Sequence, residues 1–308
     1  MTHTRPPDSS ARNADVSIIV CTKDRCADLR DMLASLGRAR VPPAWRVELI
    51  VVDNGSSDET KRIFSEATLP GMEARYVFEP RRGKSNGLNT GVTVSAGSVL
   101  LMTDDDVRVP VNWIEDMCQP ILSGAVDAVQ GGVLLAPHLD RPWLTGALRV
   151  WVAGVEDPDD PPEGLVGANM AVSRKAFDRV GPYDTRLGPG ASGNFEDTMF
   201  GWALQDAGMK IRYLPAVAVE HNFDAKRLTI ESLMSAARRM AVSRAIVNRD
   251  RDPAWRRPSV FALIAQLPGL VWRSLTQLTR LATRREPDSG FMTHYYRLKL
   301  WQAQRKAI

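Results

Sequence analysis

Near the N-terminus, apolar residues fall in short continuous runs separated by polar, glycine-bearing stretches. Val16-Ser17-Ile18-Ile19-Val20 and Val47-Glu48-Leu49-Ile50-Val51-Val52 are rich in β-branched residues and lack helical spacing, which predicts buried strands. Ala74 to Phe78 and Ser98 to Met102 predict a third and a fourth strand. Between the strands the period changes. Leu29, Met32, Leu33 and Leu36 share one helical face within Asp28 to Leu36. Further helices are expected near Glu59 to Glu66, capped by Ser57 or Asp58, and at Asn86 to Ala96. Strands alternating with helices over about ninety residues imply a parallel sheet covered on both faces.

Beyond the fourth strand the pattern loosens. Val126 to Leu135 reads as one or two strands, Val166 to Ser173 as strand-like, Phe195 to Ala207 as a helix and Lys210 to Val219 as extended chain. From Leu228 onward the spacing is helical again, carried by Leu233, Ala236, Ala237, Met240, Ala241 and Ile246. A second apolar stripe, Phe261, Ile264, Leu267, Val271, Leu275, Leu278 and Leu281, is bent or broken at Pro268.

Charge divides the chain where the pattern does. The net charge is +4, yet residues 226–308 hold 17 Lys and Arg against 5 Asp and Glu. The preceding 225 residues hold 23 basic and 31 acidic side chains. This asymmetry predicts a boundary near residue 225 and anionic partners for the basic extension. Met1 to Asp15 is polar and proline-containing, lacks the apolar centre of a signal peptide, and reads as a disordered lead-in. The expected domains are therefore 1–15, 16–225 and 226–308. Cys21, Cys26 and Cys118 have no zinc-site spacing and suggest a reducing compartment without disulfides. No apolar run reaches the roughly 18 residues of a membrane span. The longest approach, Val260 to Trp272, is interrupted by Gln266 and Pro268.

The sharpest chemical feature is Asp104-Asp105-Asp106, directly after the fourth strand. Adjacent carboxylates repel one another near an apolar core, and a hard divalent cation such as Mg²⁺ or Mn²⁺ relieves that repulsion through oxygen ligands. An acidic turn is the structural alternative. Two other strand ends carry polar clusters: Thr22, Lys23 and Asp24 after the first strand, and Asp53 after the second. In a parallel sheet these ends share one edge, where open α/β sheets bind ligands.

Together with the segments Val16 to Thr22 and Val51 to Asp58, these residues resemble the nucleotide-sugar glycosyltransferases of family 2. The resemblance continues through Gly83-Lys84-Ser85-Asn86-Gly87-Leu88-Asn89-Thr90-Gly91 and the Asp-x-Asp of Asp104 and Asp106. It then takes in Gly167 to Val172, Val180 to Asp184, Glu196-Asp197, Gly208 to Ile211, Pro215 and His221, and so covers some two thirds of the chain. It implies an α/β GT-A fold, a Rossmann-like mixed sheet flanked by helices, here with a helical C-terminal extension.

The resemblance also implies roles. Thr22, Asp24, Asp53, Lys84, Asn89, Asp104 and Asp105 would bind the nucleotide sugar, although Asp24 could equally cap the next helix. Asp53 would meet the base or ribose, Lys84 the diphosphate, and Asn89 would organise a loop or touch the donor. Arg81 and Arg82 add positive charge beside Lys84. Asp106, with Asp104 and His221, would hold Mg²⁺ or Mn²⁺, and Asp105 would point away, because neighbours in extended chain alternate faces. Asp197, or failing that Glu196, would be the general base of an inverting displacement. The small-residue loop Gly188 to Gly193 would close over the donor.

Expected partners are a nucleoside-diphosphate sugar and a hydroxyl acceptor on a glycan, a lipid-linked chain or a small molecule. The basic extension could complete the acceptor site, dimerise, or lie on an anionic membrane face; the last is favoured here, at the inner face of the cell membrane. Two other classes compete. A sugar nucleotidyltransferase resembles a glycine-rich, arginine-bearing loop after strand one, whereas this chain has Cys21-Thr22-Lys23-Asp24-Arg25 without glycine. A nucleic-acid-binding protein would use the basic extension, but no recognised motif interleaves those charges.

Overall fold

The predicted strands form the parallel half of an eight-stranded sheet in a computed structural model that describes residues 14–306 apart from 153, 158, 253 and 255–288. In chain order the first elements are β1 (Ala14–Thr22), α1 (Cys26–Leu36), β2 (Val47–Asp53), α2 (Thr60–Glu66), β3 (Met72–Phe78), α3 (Lys84–Val94) and β4 (Gly97–Asp104). There follow β5 (Val107–Arg108), α4 (Trp113–Leu122), β6 (Ala128–Leu135), α5 (Ala147–Trp151), β7 (Asn169–Ser173), α6 (Arg174–Val180), α7 (Glu196–Asp206), β8 (Ile211–His221), α8 (Ile230–Arg251) and α9 (Ser289–Lys306). The sheet order is β3-β2-β1-β4-β7-β6-β8-β5. The first four strands are parallel, and β7 runs antiparallel to both β4 and β6. The sheet is therefore mixed, as the GT-A resemblance implies.

Burial on both faces explains the unbroken apolar runs of the central strands. Val16, Ile18 and Val20 of β1 and Val99 and Leu101 of β4 pack with Leu29, Met32 and Leu33 of α1 and Trp113, Ile114 and Met117 of α4. The alternate residues Ile19, Leu100 and Met102 pack on the opposite face with Leu88 of α3, Phe177 of α6 and Phe200 of α7. The helices α4 and α6 and the short strand β5 have no counterpart among the elements expected from sequence. Opposite Gly131 and Gly132, β6 and β8 slip register. Asn169 fills that slip by donating to Gly132 and Val217 carbonyls while accepting the buried Trp113 indole N–H at 2.8 Å. A Cβ on Gly131 would lie 2.1 Å from the Asn169 amide nitrogen, so glycine is required there.

The chain divides into two compact units. The first comprises 1–136, 153–186 and 196–223, and carries the sheet. The second comprises 137–152, 187–195 and 224–308. The change of unit after Phe223 falls beside the charge boundary, and two earlier segments, one of them carrying α5, join the extension.

Within the second unit α8 packs on α9, and Arg238 and Lys299 flank the Tyr295 ring. Ser243 of α8, fully buried, bonds Ser192 at 2.8 Å and receives the Asn194 N–H at 3.1 Å. Gly193, at φ +127°, leaves room for Arg239 that any side chain would fill. The small-residue loop is thus stapled to the extension's first helix. The second apolar stripe, Phe261 to Leu281, lies outside the described residues. Among the described residues no helix is long and apolar enough to cross a membrane.

Candidate active site

The register of the parallel strands brings the polar strand ends together. Thr22 pairs with Asp53 across β1 and β2, and Cys21 pairs with Asp104 across β1 and β4. The convergence expected on one sheet edge is present, and each residue's contacts can be read from there.

At the β2 end, Asp53 accepts the Ser56 N–H at 2.7 Å and the Tyr76 hydroxyl. The carboxylate is buried and closes its own Gly-Ser turn. Tyr76, one strand over, was not singled out by sequence, although its place two residues before the end of β3 aligns its face with Asp53. Asp24 lies in left-handed backbone at φ +50°. Its carboxylate accepts from Ser57, and its own N–H donates to the Ser56 hydroxyl, so it clips the loops after β1 and β2 together. The cap position of α2 is Glu59, not Ser57 or Asp58; Asp58 accepts the Thr60 N–H and the Cys26 N–H at the start of α1.

Lys84 is the first residue of α3, preceded by Gly83 at φ +120°. Asn54 builds this turn: its side-chain oxygen accepts the Gly83 N–H, and its amide donates to the Glu79 and Arg81 carbonyls. Arg81 is spent within the loop on Glu79, whose carboxyl its hydrogen bonds pull down to about 2 despite partial burial. The Lys84 ammonium instead reaches inward, bonding Asp104 and lying 3.8 Å from Glu196. Burial pulls the Lys84 pKa down, but Asp104, Glu196 and Asp197 outweigh it, and the ammonium stays charged beyond its ordinary range. Asn89, one turn along α3, uses both ends of its amide on the Tyr183 backbone, at 2.9 Å each. It thereby ties α3 to the Val180-to-Asp184 segment.

The three adjacent acids fan apart. Asp104 takes Lys84. Asp105 turns back to β1, accepting the Thr22 hydroxyl at 2.8 Å and the Arg25 guanidinium at 2.9 Å. Asp106 meets the same Arg25 nitrogen at 2.9 Å and lies 3.3 Å from His221 Nε2. Asp105 and Asp106 are 4% and 2% exposed, and burial pushes the Asp105 carboxyl up against the pull of Arg25. The pairing of β5 with β8 sets the last contact: Val107 registers with His221, and the Asn222 N–H bonds the Asp106 carbonyl. Asp106 and His221 offer a carboxylate and an imidazole side by side, a mixed oxygen and nitrogen pair that suits Mn²⁺ better than the all-oxygen preference of Mg²⁺. Among the described residues no group of three or more potential ligands is assembled. An ion held by this pair would need further ligands, such as phosphate and water.

Glu196 and Asp197 open α7, where the helix dipole favours acids. Asp197 accepts the Gly167 N–H at 2.8 Å and the Thr198 N–H at 2.7 Å. A Cβ on Gly167 would stand 3.4 Å from the Asp197 carboxylate and 3.5 Å from the Lys84 ammonium, so this glycine keeps open the space beside both. Glu196 is buried, and burial followed by the Asp197 charge pushes its carboxyl upward. The folded state then binds the Glu196 proton more tightly than the unfolded chain. Its stabilising contribution is complete below the ordinary glutamate range and is lost as pH rises through the folded pKa. Glu196→Gln, which cannot ionise, is expected to raise the melting temperature over wild type increasingly from about pH 5 to about pH 8. A difference that stays flat or reverses in a thermal scan would contradict this burial account.

Comparison with known proteins identifies the family and the fold. The family described as Glycosyl transferase family 2 matches residues 17–181, more than half of the chain. A glucosyl-dolichyl phosphate glucuronosyltransferase of Haloferax volcanii is 24% identical over 181 residues, 56% of this chain and 57% of that protein. A pre-mycofactocin glycosyltransferase of Mycobacterium tuberculosis is 24% identical over 231 residues, 71% of this chain and 45% of that protein. The chain thus spans about half the length of these curated relatives. Among solved structures, a mannosyltransferase of Pyrobaculum calidifontis in complex with GDP-Man and Mn²⁺ superposes with a TM-score of 0.63 at 19% identity, covering 98% of this chain and 89% of that one. TarS 1–349 of S. aureus in complex with UDP superposes at 0.53 with 17% identity, covering 94% and 89%. These two similarities show the fold, which is GT-A. The sheet-edge convergence and the family match lead to one conclusion: the chain belongs to glycosyl transferase family 2.

Proposed function

We propose that the protein transfers a sugar, with inversion, from a nucleoside-diphosphate sugar to an acceptor hydroxyl, with a divalent metal ion at Asp106 and His221. The supporting observation is that Asp197 and Lys84 flank the space Gly167 leaves open, while Lys84 also reaches Asp104. In this reading Asp197 accepts the proton of the attacking hydroxyl, and its bonds to the Gly167 and Thr198 N–H groups aim it. The base side of the donor lies at Asp53, which Tyr76 and Ser56 hold in place. Lys84 trades its carboxylate neighbours for the diphosphate and carries charge to the leaving group. A bound Mg²⁺ or Mn²⁺ would supply further charge neutralisation at the diphosphate.

The Haloferax relative's name couples it to dolichyl phosphate, which favours a lipid-linked acceptor here. Association of the basic extension with a membrane belongs to the same reading. Neighbours carrying GDP-Man and UDP make both guanosine and uridine donors candidates.

A thermal-shift screen of nucleotide sugars with Mn²⁺ tests donor and metal together. At a hundredfold excess over Kd the right donor adds about 2.7 kcal/mol, a rise of roughly 4 °C for a protein of this size. Asp106→Ala is expected to remove the Mn²⁺-dependent part of that rise. A shift indifferent to Mn²⁺ in both proteins would sink the metal assignment.

A further inference from the structure

Arg25 stands where a cation would. It immediately precedes α1, and its Nη1 donates at 2.9 Å to Asp105 and at 2.9 Å to Asp106. One nitrogen thus bridges two adjacent, buried carboxylates. Each of those carboxylates turns its other oxygen elsewhere, Asp105 to the Thr22 hydroxyl and Asp106 toward His221. Without a positive charge at this point, two buried neighbouring carboxylates repel one another and are costly to keep ionised.

The backbone beneath Arg25 is fixed. Asp24 is clipped to Ser56 and Ser57, the Cys26 N–H is held by Asp58, and the Arg25 carbonyl accepts the Leu29 N–H. The side chain itself is 41% exposed. It can withdraw toward solvent without disturbing the loop, unlike Lys84, whose side chain is only 16% exposed.

We infer that Arg25 is a resident counter-cation of the acidic cluster, competing with a divalent ion for Asp106 and thereby setting how tightly that ion is held. This rests on the reading of Asp106 and His221 as metal ligands. Arg25 is in this sense a positioning residue: it bridges the two carboxylates and holds them in place in the absence of an ion. It also makes the ion's tight binding depend on the diphosphate, whose charge and oxygens tip the competition.

The test is a Mn²⁺ titration of the full-length protein, followed by the EPR signal of the free ion, with wild type, Arg25→Gln and Arg25→Lys. Without nucleotide, Arg25→Gln is expected to bind Mn²⁺ at least about tenfold more tightly than wild type, because a like charge and a competitor for the Asp106 oxygen are both gone. Arg25→Lys, which keeps the charge, is expected to stay near wild type. Adding GDP or UDP is expected to narrow the gap between wild type and Arg25→Gln. The melting temperature of Arg25→Gln should also rise more steeply with Mn²⁺ than that of wild type.

Unchanged or weaker Mn²⁺ binding by Arg25→Gln would overturn the inference, as would an Arg25→Gln protein that stays unfolded in millimolar Mn²⁺. If wild type and variant bind Mn²⁺ with GDP or UDP but the variant binds no tighter without nucleotide, only the role of Arg25 falls. If neither binds Mn²⁺ even with GDP or UDP, the metal reading falls and takes this inference with it.

Discussion

Asp197→Asn is expected to lower the rate of sugar transfer by about 10²–10⁴-fold while leaving donor affinity close to wild type. The carboxylate sits at the first turn of α7, and two backbone N–H groups fix its direction. An amide of the same shape can keep one of those bonds, and loss of the charge at a helix start costs only about 0.3–1 kcal/mol of stability. The missing function is proton acceptance, so kcat carries the loss and KM for the donor does not. Glu196 is the natural rival. It is buried, burial and its neighbour Asp197 push its pKa upward, and Lys84 lies 3.8 Å away. Steady-state kinetics of both variants separate the two: a large kcat loss in Glu196→Gln with a small one in Asp197→Asn would exchange their roles.

Lys84→Met is expected to fail in two ways at once. The ammonium is the shared counter-charge of Asp104 and Glu196, with Asp197 close by. Removing one partner of a buried ion pair leaves the other uncompensated, a loss of about 3–5 kcal/mol in fully buried sites. Partial exposure of Lys84 and Asp104 reduces this to about 2–4 kcal/mol. In the proposed reaction the same residue meets the diphosphate, and a lost charge-assisted hydrogen bond of about 1.5–3 kcal/mol weakens donor binding by roughly 10–100-fold. Chemical denaturation and donor titration measure the two losses separately. A variant as stable as wild type would mean that Lys84 does not neutralise the acids.

Much of this site can be read from the chain because strand ends announce themselves. The apolar runs ending at Thr22, Asp53 and Asp104 give both the strands and the edge on which those side chains meet. His221 is legible only through resemblance, since its position beside Asp106 depends on the two-residue strand β5, too short to leave a pattern. Arg25 is invisible for a related reason: its partners lie 80 and 81 residues away. Its one signal is adjacency to the Thr22–Asp24 strand end.

Asp105 shows the limit of alternation. It was expected to point away from its neighbours, and it does leave them, but toward Thr22 and Arg25 at the heart of the same cluster. Asn54 and Tyr76 support Lys84 and Asp53 through bonds between loops and strands that no local periodicity encodes. The helices α4 and α6 belong to the less regular second half of the sheet, where strand and helix no longer alternate in a simple β-α rhythm.

The central claim is that the anomeric C–O bond of a nucleotide sugar breaks here. ³¹P NMR of the purified protein with candidate donors, Mg²⁺ and an acceptor reads which bond is cleaved. The account predicts that the sugar-linked diphosphate signal gives way to that of the free nucleoside diphosphate, with both phosphorus atoms retained, and that Asp197→Asn slows the change by about 10²–10⁴-fold. Release of nucleoside monophosphate with sugar phosphate, or of nucleoside triphosphate when pyrophosphate is added, would place the break at phosphorus and contradict it.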